Sequence, residues 1–308
     1  MKKILRKKNC PQKHFPVLVP PIFLLLWMMF TVPALSAPVQ VMVSIPPQEY
    51  FVRQIGGDQV QVESLLPPGA SPHAYEPRPS KMADLGRSEI YAAIGVEYEK
   101  NLLPKIKSLY PDLDIVSTEK NIQLMPMKRK TGHSHDNHQH GHQGMDPHIW
   151  LSPALVMVQS STILRALVEA RPEKKLYFLE NYQQFINEIL ELDLKIKNMF
   201  HDVKPGSRFM VFHPAWGYFA RDYCLVQEPV EVEGKDPGAE DLKHLIDTAQ
   251  AENIKTIFVS PQFSDKSARV IAQSIDGGTE SIDPLALNWK DNLLKTAEKF
   301  RQALVHEN

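Results

Sequence analysis

The sequence predicts an α/β protein built from two lobes with parallel sheets, which one long helix joins. Short apolar runs alternate with segments of helical period in two separate sets, one over 39–117 and the other over 208–306. This alternation is typical of βαβ units around a mostly parallel sheet. A chain of 308 residues also exceeds one typical domain and is long enough for two hydrophobic cores.

The segment 1–36 has the pattern of a signal peptide. Six cationic and no acidic residues up to Lys13 precede an apolar run over 17–32, and the small residues Ala34 and Ser36 stand at the usual spacing before a cleavage site. We expect cleavage after Ser36, which places the mature chain outside the cytoplasm. An uncleaved membrane anchor is the alternative, although the run is short for a membrane span and contains two prolines.

The charge and cysteine content of the remaining chain exclude some functions and constrain the fold. Cleavage removes cations only, so a chain with a formal net charge of −1 becomes more acidic, which argues against nucleic acid as a partner. Cleavage also removes Cys10 and leaves Cys224 as the single cysteine, which cannot form an intramolecular disulfide. The fold must therefore rest on its hydrophobic core.

The first lobe is predicted over 37–171 and the second over 205–308, with a linking helix over 172–204. Pro172 starts this helix, and Pro205 and Gly206 lie just beyond its end. At about 1.5 Å per residue the helix would be roughly 40 Å long, a stiff spine along both lobes. Its apolar side chains recur at the spacing of one helical face and are Leu176, Leu179, Tyr182, Phe185, Ile186, Ile189, Leu190, Ile196 and Met199.

Two potential metal ligands follow predicted strands of the second lobe. His213 closes the run 208–212, Asp283 follows the run 279–282, and a proline comes after each of them. In open α/β sheets, ligands bind at this carboxyl edge. Taken alone, such a histidine is more often a structural residue, and an Asp-Pro pair is more often a turn or a helix cap.

Two histidines of the first lobe stand in distinctive surroundings. His73 lies in the proline-rich stretch PPGASPHAYEP, and His148 lies in DPHIWLSP, where Asp146 is placed to cap a turn. Three neutral imidazoles and one carboxylate form a tetrahedral set that suits Zn²⁺, with bonds of about 2.0 to 2.2 Å. Harder ions such as Mn²⁺ favour more oxygen ligands. Each imidazole should donate its other N–H to a carboxylate or a backbone carbonyl, and the sequence does not identify these partners.

Five motifs in a fixed order carry a resemblance to a known family: PPGASPHAYEPRPS, DPHIWLSP, FHPAWGYFA, GAEDLKHLIDTAQAENIKTIFVSPQFS and SIDPL. From Val39 to the C-terminus the chain resembles the zinc and manganese solute-binding proteins of bacterial ABC importers, most of all the zinc-uptake, ZnuA-like type. The resemblance implies two Rossmann-like lobes joined by a long rigid helix, with the metal in the cleft between them. It implies that His73 and His148 come from the first lobe, and His213 and Asp283 from the second. It also implies a periplasmic monomer that delivers Zn²⁺ to a membrane permease.

Two features favour the zinc branch of this family, and two depart from it. Manganese members tend to have a carboxylate where this chain has His213, and zinc members carry an insertion rich in histidine at the place of 128–144. The stretch 260–263 reads SPQF where relatives often show a glutamate before the proline, which could alter a contact between the lobes. The single mature cysteine rules out the second-lobe disulfide found in some zinc members.

The insertion is a histidine-rich segment of polar and glycine residues, which cannot bury enough apolar surface to fold alone. We expect a mobile loop that binds metal weakly and fast, and a tolerated insertion without function is the alternative. Its candidate auxiliary ligands are His133, His135, His138, His140 and His142.

Three rival functions remain at this stage. The same scaffold could serve Mn²⁺ or Fe²⁺, and it could belong to a metal-dependent adhesin or a metal-sensing surface protein. A zinc hydrolase would need a general base and an open coordination position, yet neither an HExxH nor a nucleophile-elbow motif is present. We therefore expect a binding protein rather than an enzyme.

Overall fold

A four-stranded parallel sheet forms the centre of the first lobe. The computed structural model describes residues 37–127, 144–231 and 235–306, so the predicted signal peptide and the histidines of 133–142 lie outside the described residues. The strands pair in the order β2-β1-β3-β4. Central β1 is almost entirely buried, whereas edge strand β2 alternates between buried and exposed positions because one of its faces meets solvent. The strands are β1 (Val39–Val43), β2 (Val60–Ser64), β3 (Ile90–Ala93) and β4 (Asp114–Ser117), and the helices are α1 (Pro46–Gly56), α2 (Pro79–Leu85), α3 (Glu99–Leu109) and α4 (Pro153–Ala170).

The second lobe repeats this architecture. Its four parallel strands pair in the order β6-β5-β7-β8, which is the strand order of the first sheet shifted by four. The predicted fold class, two α/β lobes with parallel sheets, is confirmed. The strands are β5 (Arg208–Val211), β6 (Val226–Pro229), β7 (Thr256–Val259) and β8 (Gly278–Ser281), and the helices are α6 (Gly217–Asp222), α7 (Ala239–Ala251), α8 (Lys266–Ser274) and α9 (Trp289–His306).

The predicted linking helix is confirmed as α5 (Lys175–Met199), which a 3₁₀ turn at Pro172–Lys174 precedes. Its 25 residues span about 37 Å. The buried face matches the predicted one in part, since Phe185, Ile189 and Ile196 are buried. Leu176 and Leu190, in contrast, are 75% and 43% exposed. The helix packs against α1, α4 and α9, and these neighbours decide which of its apolar side chains are covered. The buried residues are Phe178, Phe185, Ile189, Leu192 and Ile196.

One hydrophobic cluster runs through both lobes. It extends from β1 through α4 and α5 to α9, where the Phe300 ring lies 4.3 Å from that of Phe209 and 5.3 Å from that of Trp216. A smaller cluster around Ile257 and Ile271 fills the far side of the second sheet. The larger core is continuous across residues 171 and 205, where the boundaries of the lobes were predicted. The core therefore does not test these boundaries, which stay predictions.

Two tryptophans connect the lobes by hydrogen bonds. Trp150 Nε1 donates to the carbonyl oxygen of Pro284 at 2.7 Å, and Trp289 Nε1 donates to the carbonyl oxygen of Trp150 at 2.6 Å. All three residues are buried. Relative motion of the lobes would have to break these bonds inside a packed core. Within the described ranges, no helix is both long and apolar enough to cross a membrane.

We expect the buried side chains of α5 to stabilise the fold more than its exposed ones. Phe185→Ala removes a ring that is 1% exposed and should lower the free energy of unfolding by about 3 to 5 kcal/mol, because it leaves a cavity between α5 and α1. Leu176→Ala is the matched control on the same helix and should change it by no more than about 0.5 kcal/mol. Urea denaturation of both variants measures the two values. Equal losses would show that the assigned face is wrong.

Candidate metal centre

His148 is held in place by the acidic residue that precedes it by two positions. Asp146 Oδ1 accepts hydrogen bonds from the backbone N–H of His148 at 2.9 Å and from its Nδ1 at 2.7 Å. Both residues are only 3% exposed, and the following turn at Ile149–Leu151 is buried in the larger core. The imidazole therefore has little freedom to rotate, and its Nε2 faces away from Asp146.

His213 stands at the carboxyl edge of the second sheet, two residues after the end of β5. Its Nδ1 lies 3.0 Å from Glu231 Oε1, at the corresponding end of neighbouring β6. The ring N–H does not point well enough at this oxygen to make a regular hydrogen bond, so the contact is an electrostatic one. The Phe263 ring stacks on the imidazole with centroids 4.4 Å apart. Burial lowers the pKa of His213, nearby His148 lowers it further, and Glu231 opposes both effects.

His73 lies in the loop between β2 and α2 and is the most accessible of the three. Its Nδ1 lies 3.0 Å from Glu97 Oε2, and the two side chains are 31% and 58% exposed. Tyr75 anchors the loop, because its hydroxyl donates to the carbonyl oxygen of Leu65 at 2.7 Å. This side of the centre thus faces solvent, while the His148 and His213 side is enclosed.

The three Nε2 atoms converge on one point. His213 Nε2 lies 3.2 Å from His73 Nε2 and 3.2 Å from His148 Nε2. A carboxylate beside each Nδ1 assigns the proton to that nitrogen, so all three Nε2 atoms carry lone pairs and none can donate to another. Two nitrogens bound to one zinc at about 2.05 Å in a tetrahedron are about 3.3 Å apart, which matches the two separations that involve His213. The arrangement suits a cation and leaves the nitrogens without partners in its absence.

Asp283 lies close to these histidines, but its carboxylate does not join them. Among the described residues, the ligand atoms that lie within 4.8 Å of one another belong to His73, His148 and His213. Asp283 Oδ1 instead accepts hydrogen bonds from Gln262 Nε2 at 2.7 Å and from the backbone N–H of Leu285 at 2.9 Å.

Four neighbours of the histidines were not assigned to the site from the sequence. Asp146 had been interpreted as a turn cap and also orients His148. Glu231 follows β6 as His213 follows β5, so the adjacency of two strand ends is the signal that could have found it. Glu97 and Gln262 lie in loops far along the chain from the histidines that they approach, and no spacing rule identifies them.

Comparison with known proteins identifies the family of this chain. The family model described as "ZnuA: Zinc-uptake complex component A periplasmic" matches residues 41–303. The high-affinity zinc uptake system protein ZnuA of Bacillus subtilis (strain 168) is 30% identical over 250 residues, which cover 78% of this chain and 76% of that protein. A crystal structure of ZnuA is 41% identical with a TM-score of 0.80, and the match covers 87% of this chain and 99% of the other.

A more distant neighbour shares the fold alone. The structure of the SBP FpvC from Pseudomonas aeruginosa in complex with Mn²⁺ is 20% identical, with a TM-score of 0.74, and the match covers 88% of this chain and 99% of the other. The resemblance found in the sequence motifs is confirmed by the family match, which spans most of the chain. The chain belongs to the ZnuA family, the extracytoplasmic metal-binding proteins of ABC transporters.

Proposed function

We propose that this protein captures Zn²⁺ in the periplasm with His73, His148, His213 and one oxygen ligand from the second lobe, and delivers it to the permease of an ABC importer. The family resemblance implies that Asp283 supplies this fourth ligand. The observation that carries the proposal is the convergence of three imidazoles: His213 Nε2 lies 3.2 Å from the Nε2 atoms of His73 and His148, and the ligand atoms of all three lie within 4.8 Å of one another. For Asp283 to bind, its side chain would have to turn towards the histidines and leave the amide of Gln262.

The ligand types support zinc over harder ions. Three of the four proposed ligands are imidazoles, which suit Zn²⁺, whereas Mn²⁺ prefers sites rich in oxygen. Mn²⁺ or Fe²⁺ is the second candidate cargo, because a neighbour of the same fold holds Mn²⁺. The proposed ligands also favour a binding protein over an enzyme. Four protein ligands around zinc leave no exchangeable position for a catalytic water.

The remaining parts of the proposal concern residues that the structure does not describe. We infer that cleavage after Ser36 releases a periplasmic monomer. Auxiliary weak binding is assigned to His133, His135, His138, His140 and His142, whose imidazoles would bind zinc loosely near the main centre.

Removing one central imidazole tests the proposed function directly. His213→Ala should weaken zinc binding by more than the roughly 10- to 100-fold that is typical when only an outer partner of a ligand is lost. The matched control is His201→Ala, whose side chain is 76% exposed and should leave the affinity unchanged. Competition with a chelator gives the dissociation constants for Zn²⁺ and Mn²⁺. Tighter binding of Mn²⁺ by the wild-type protein, or an undiminished zinc affinity in His213→Ala, would contradict the proposal.

Zinc affinity should fall as the pH is lowered from 7.5 to 5. Zinc binds the neutral imidazole, so protons compete as the pH approaches the histidine pKa, and one ordinary histidine would weaken binding on the order of 30-fold at pH 5. The lowered pKa of His213 keeps this ring neutral to a more acidic pH than usual, so His213 should contribute less than an ordinary histidine to the loss. Chelator competition across this range measures the effect, and a constant affinity would exclude histidine ligation.

Deleting residues 132–144 separates the main centre from the auxiliary sites. The proposed tight site should remain, because its ligands lie elsewhere in the sequence, while weaker binding of additional zinc should disappear. Calorimetric titration of both proteins with an excess of zinc counts the two classes of site. Loss of the tight site in the deletion variant would show that the segment belongs to it.

A further inference from the structure

We propose that Gln262 supplies the oxygen that completes the metal site, and that Asp283 acts on the metal only by holding the Gln262 amide in place. This inference rests on the proposed zinc-binding function and deepens it. It replaces the carboxylate expected at the fourth position with a neutral amide oxygen, on the basis of three features of the described residues.

The first feature is the position of Gln262. It lies in the loop after β7, directly before Phe263, whose ring stacks on His213 and lies 5.9 Å from the ring of His73. Gln262 lines a cavity of about 10 Å³ together with His148 and His213, with room for one water-sized species. Pro72, the neighbour of His73 in the chain, also lines this cavity, whereas His73 itself does not. The Gln262 amide has the only side-chain oxygen among the described residues that line this cavity, and Asp283 is not one of them.

The second feature is the orientation of the amide. Gln262 Nε2 donates to Asp283 Oδ1 at 2.7 Å, and the same oxygen accepts from the backbone N–H of Leu285. A carboxylate only accepts hydrogen bonds, so the amide must face Asp283 with its NH₂ group. Rotating the amide by half a turn would bring two acceptors together. Asp283 therefore fixes the direction of the Gln262 carbonyl oxygen.

The third feature is that this oxygen has no partner. Gln262 Oε1 is fully buried and makes no hydrogen bond to any described residue. Leaving a buried acceptor unpaired costs free energy, so an unpaired group in a native structure calls for an explanation, and a bound ion is one. Gln262 Oε1 belongs to a residue that shares a cavity with His148 and His213, and it adds a fourth acceptor to the three imidazole nitrogens. A bound cation satisfies all four acceptors at once.

The charge around the site makes an anionic fourth ligand unnecessary. Glu97, Asp146 and Glu231 already lie behind the three imidazoles and supply negative charge close to a divalent ion. A neutral amide oxygen completes the coordination without adding a further charge. Such a site holds zinc less tightly than one with an additional carboxylate, which suits a carrier that must release its cargo.

The experiment combines two substitutions and their double variant. Gln262→Leu removes the amide at similar volume, and it should weaken zinc binding by more than the roughly 10- to 100-fold typical of an outer partner. Gln250→Leu, a change of the same type on α7 in the same lobe, is the matched control and should bind zinc as the wild type does. Without metal, Gln262→Leu should unfold at the wild-type temperature or above it, since the unpaired acceptor is gone. A purely structural role would lower that temperature.

The double variant distinguishes ligand from positioning residue. Asp283→Ala should weaken zinc binding in the wild-type background, yet it should have little further effect in Gln262→Leu, because Asp283 acts through the amide. A full additional loss in the double variant, or an undiminished affinity in Gln262→Leu, would overturn the inference and leave zinc capture itself intact. Failure of the wild-type protein to bind zinc would instead reject the proposed function. A crystal structure of the zinc complex decides directly, by showing either Gln262 Oε1 or an Asp283 oxygen on the metal.

Discussion

The pairing of each imidazole with a carboxylate is the interaction on which the centre depends. Glu97 and Asp146 make hydrogen bonds to the Nδ1 atoms of His73 and His148, which fixes the tautomer of these two rings and turns their Nε2 lone pairs inwards. Glu231 lies 3.0 Å from Nδ1 of His213 and favours the same tautomer by its charge. Three lone pairs held this close repel one another. The folded chain tolerates the repulsion because each ring is held from behind, and in return the protein presents a site already arranged for a cation.

The fold supplies the rigidity that this arrangement requires. Parallel strands bring their carboxyl ends to one edge of each sheet, so Glu231 follows β6 next to His213 after β5. Between the lobes, the hydrogen bonds of Trp150 to Pro284 and of Trp289 to Trp150 lie within one continuous core. The site therefore rests on a single packed body, and its ligands are positioned by core packing rather than by loop closure alone.

The sequence predicted the architecture and the three converging histidines but not how they are held. The sequence shows local patterns directly. These are the alternation of strands and helices, the helical spacing of apolar residues along α5 and the position of His213 after a strand. The partners Glu97 and Gln262 come into contact with the centre only through the tertiary fold, so no local pattern indicates them. For a related reason the prediction for α5 is right for Phe185 and wrong for Leu176: both belong to the apolar pattern of the helix, and only the neighbouring helices decide which side chain is covered. The proposed fourth ligand Asp283 shows the same limit, since its hydrogen bond to Gln262 is a contact between two separate loops.

The three pairs of histidine and carboxylate differ in solvent exposure, so the centre is open on one side only. His148 and His213 are enclosed together with their carboxylates, whereas His73 and Glu97 face solvent. An incoming ion therefore exchanges its hydration shell on the His73 side, and the departing ion leaves by the same side. If the site carries zinc as proposed, the exposed His73 loop is the part of the centre whose displacement would open it to solvent while the core around His148 and His213 stays packed.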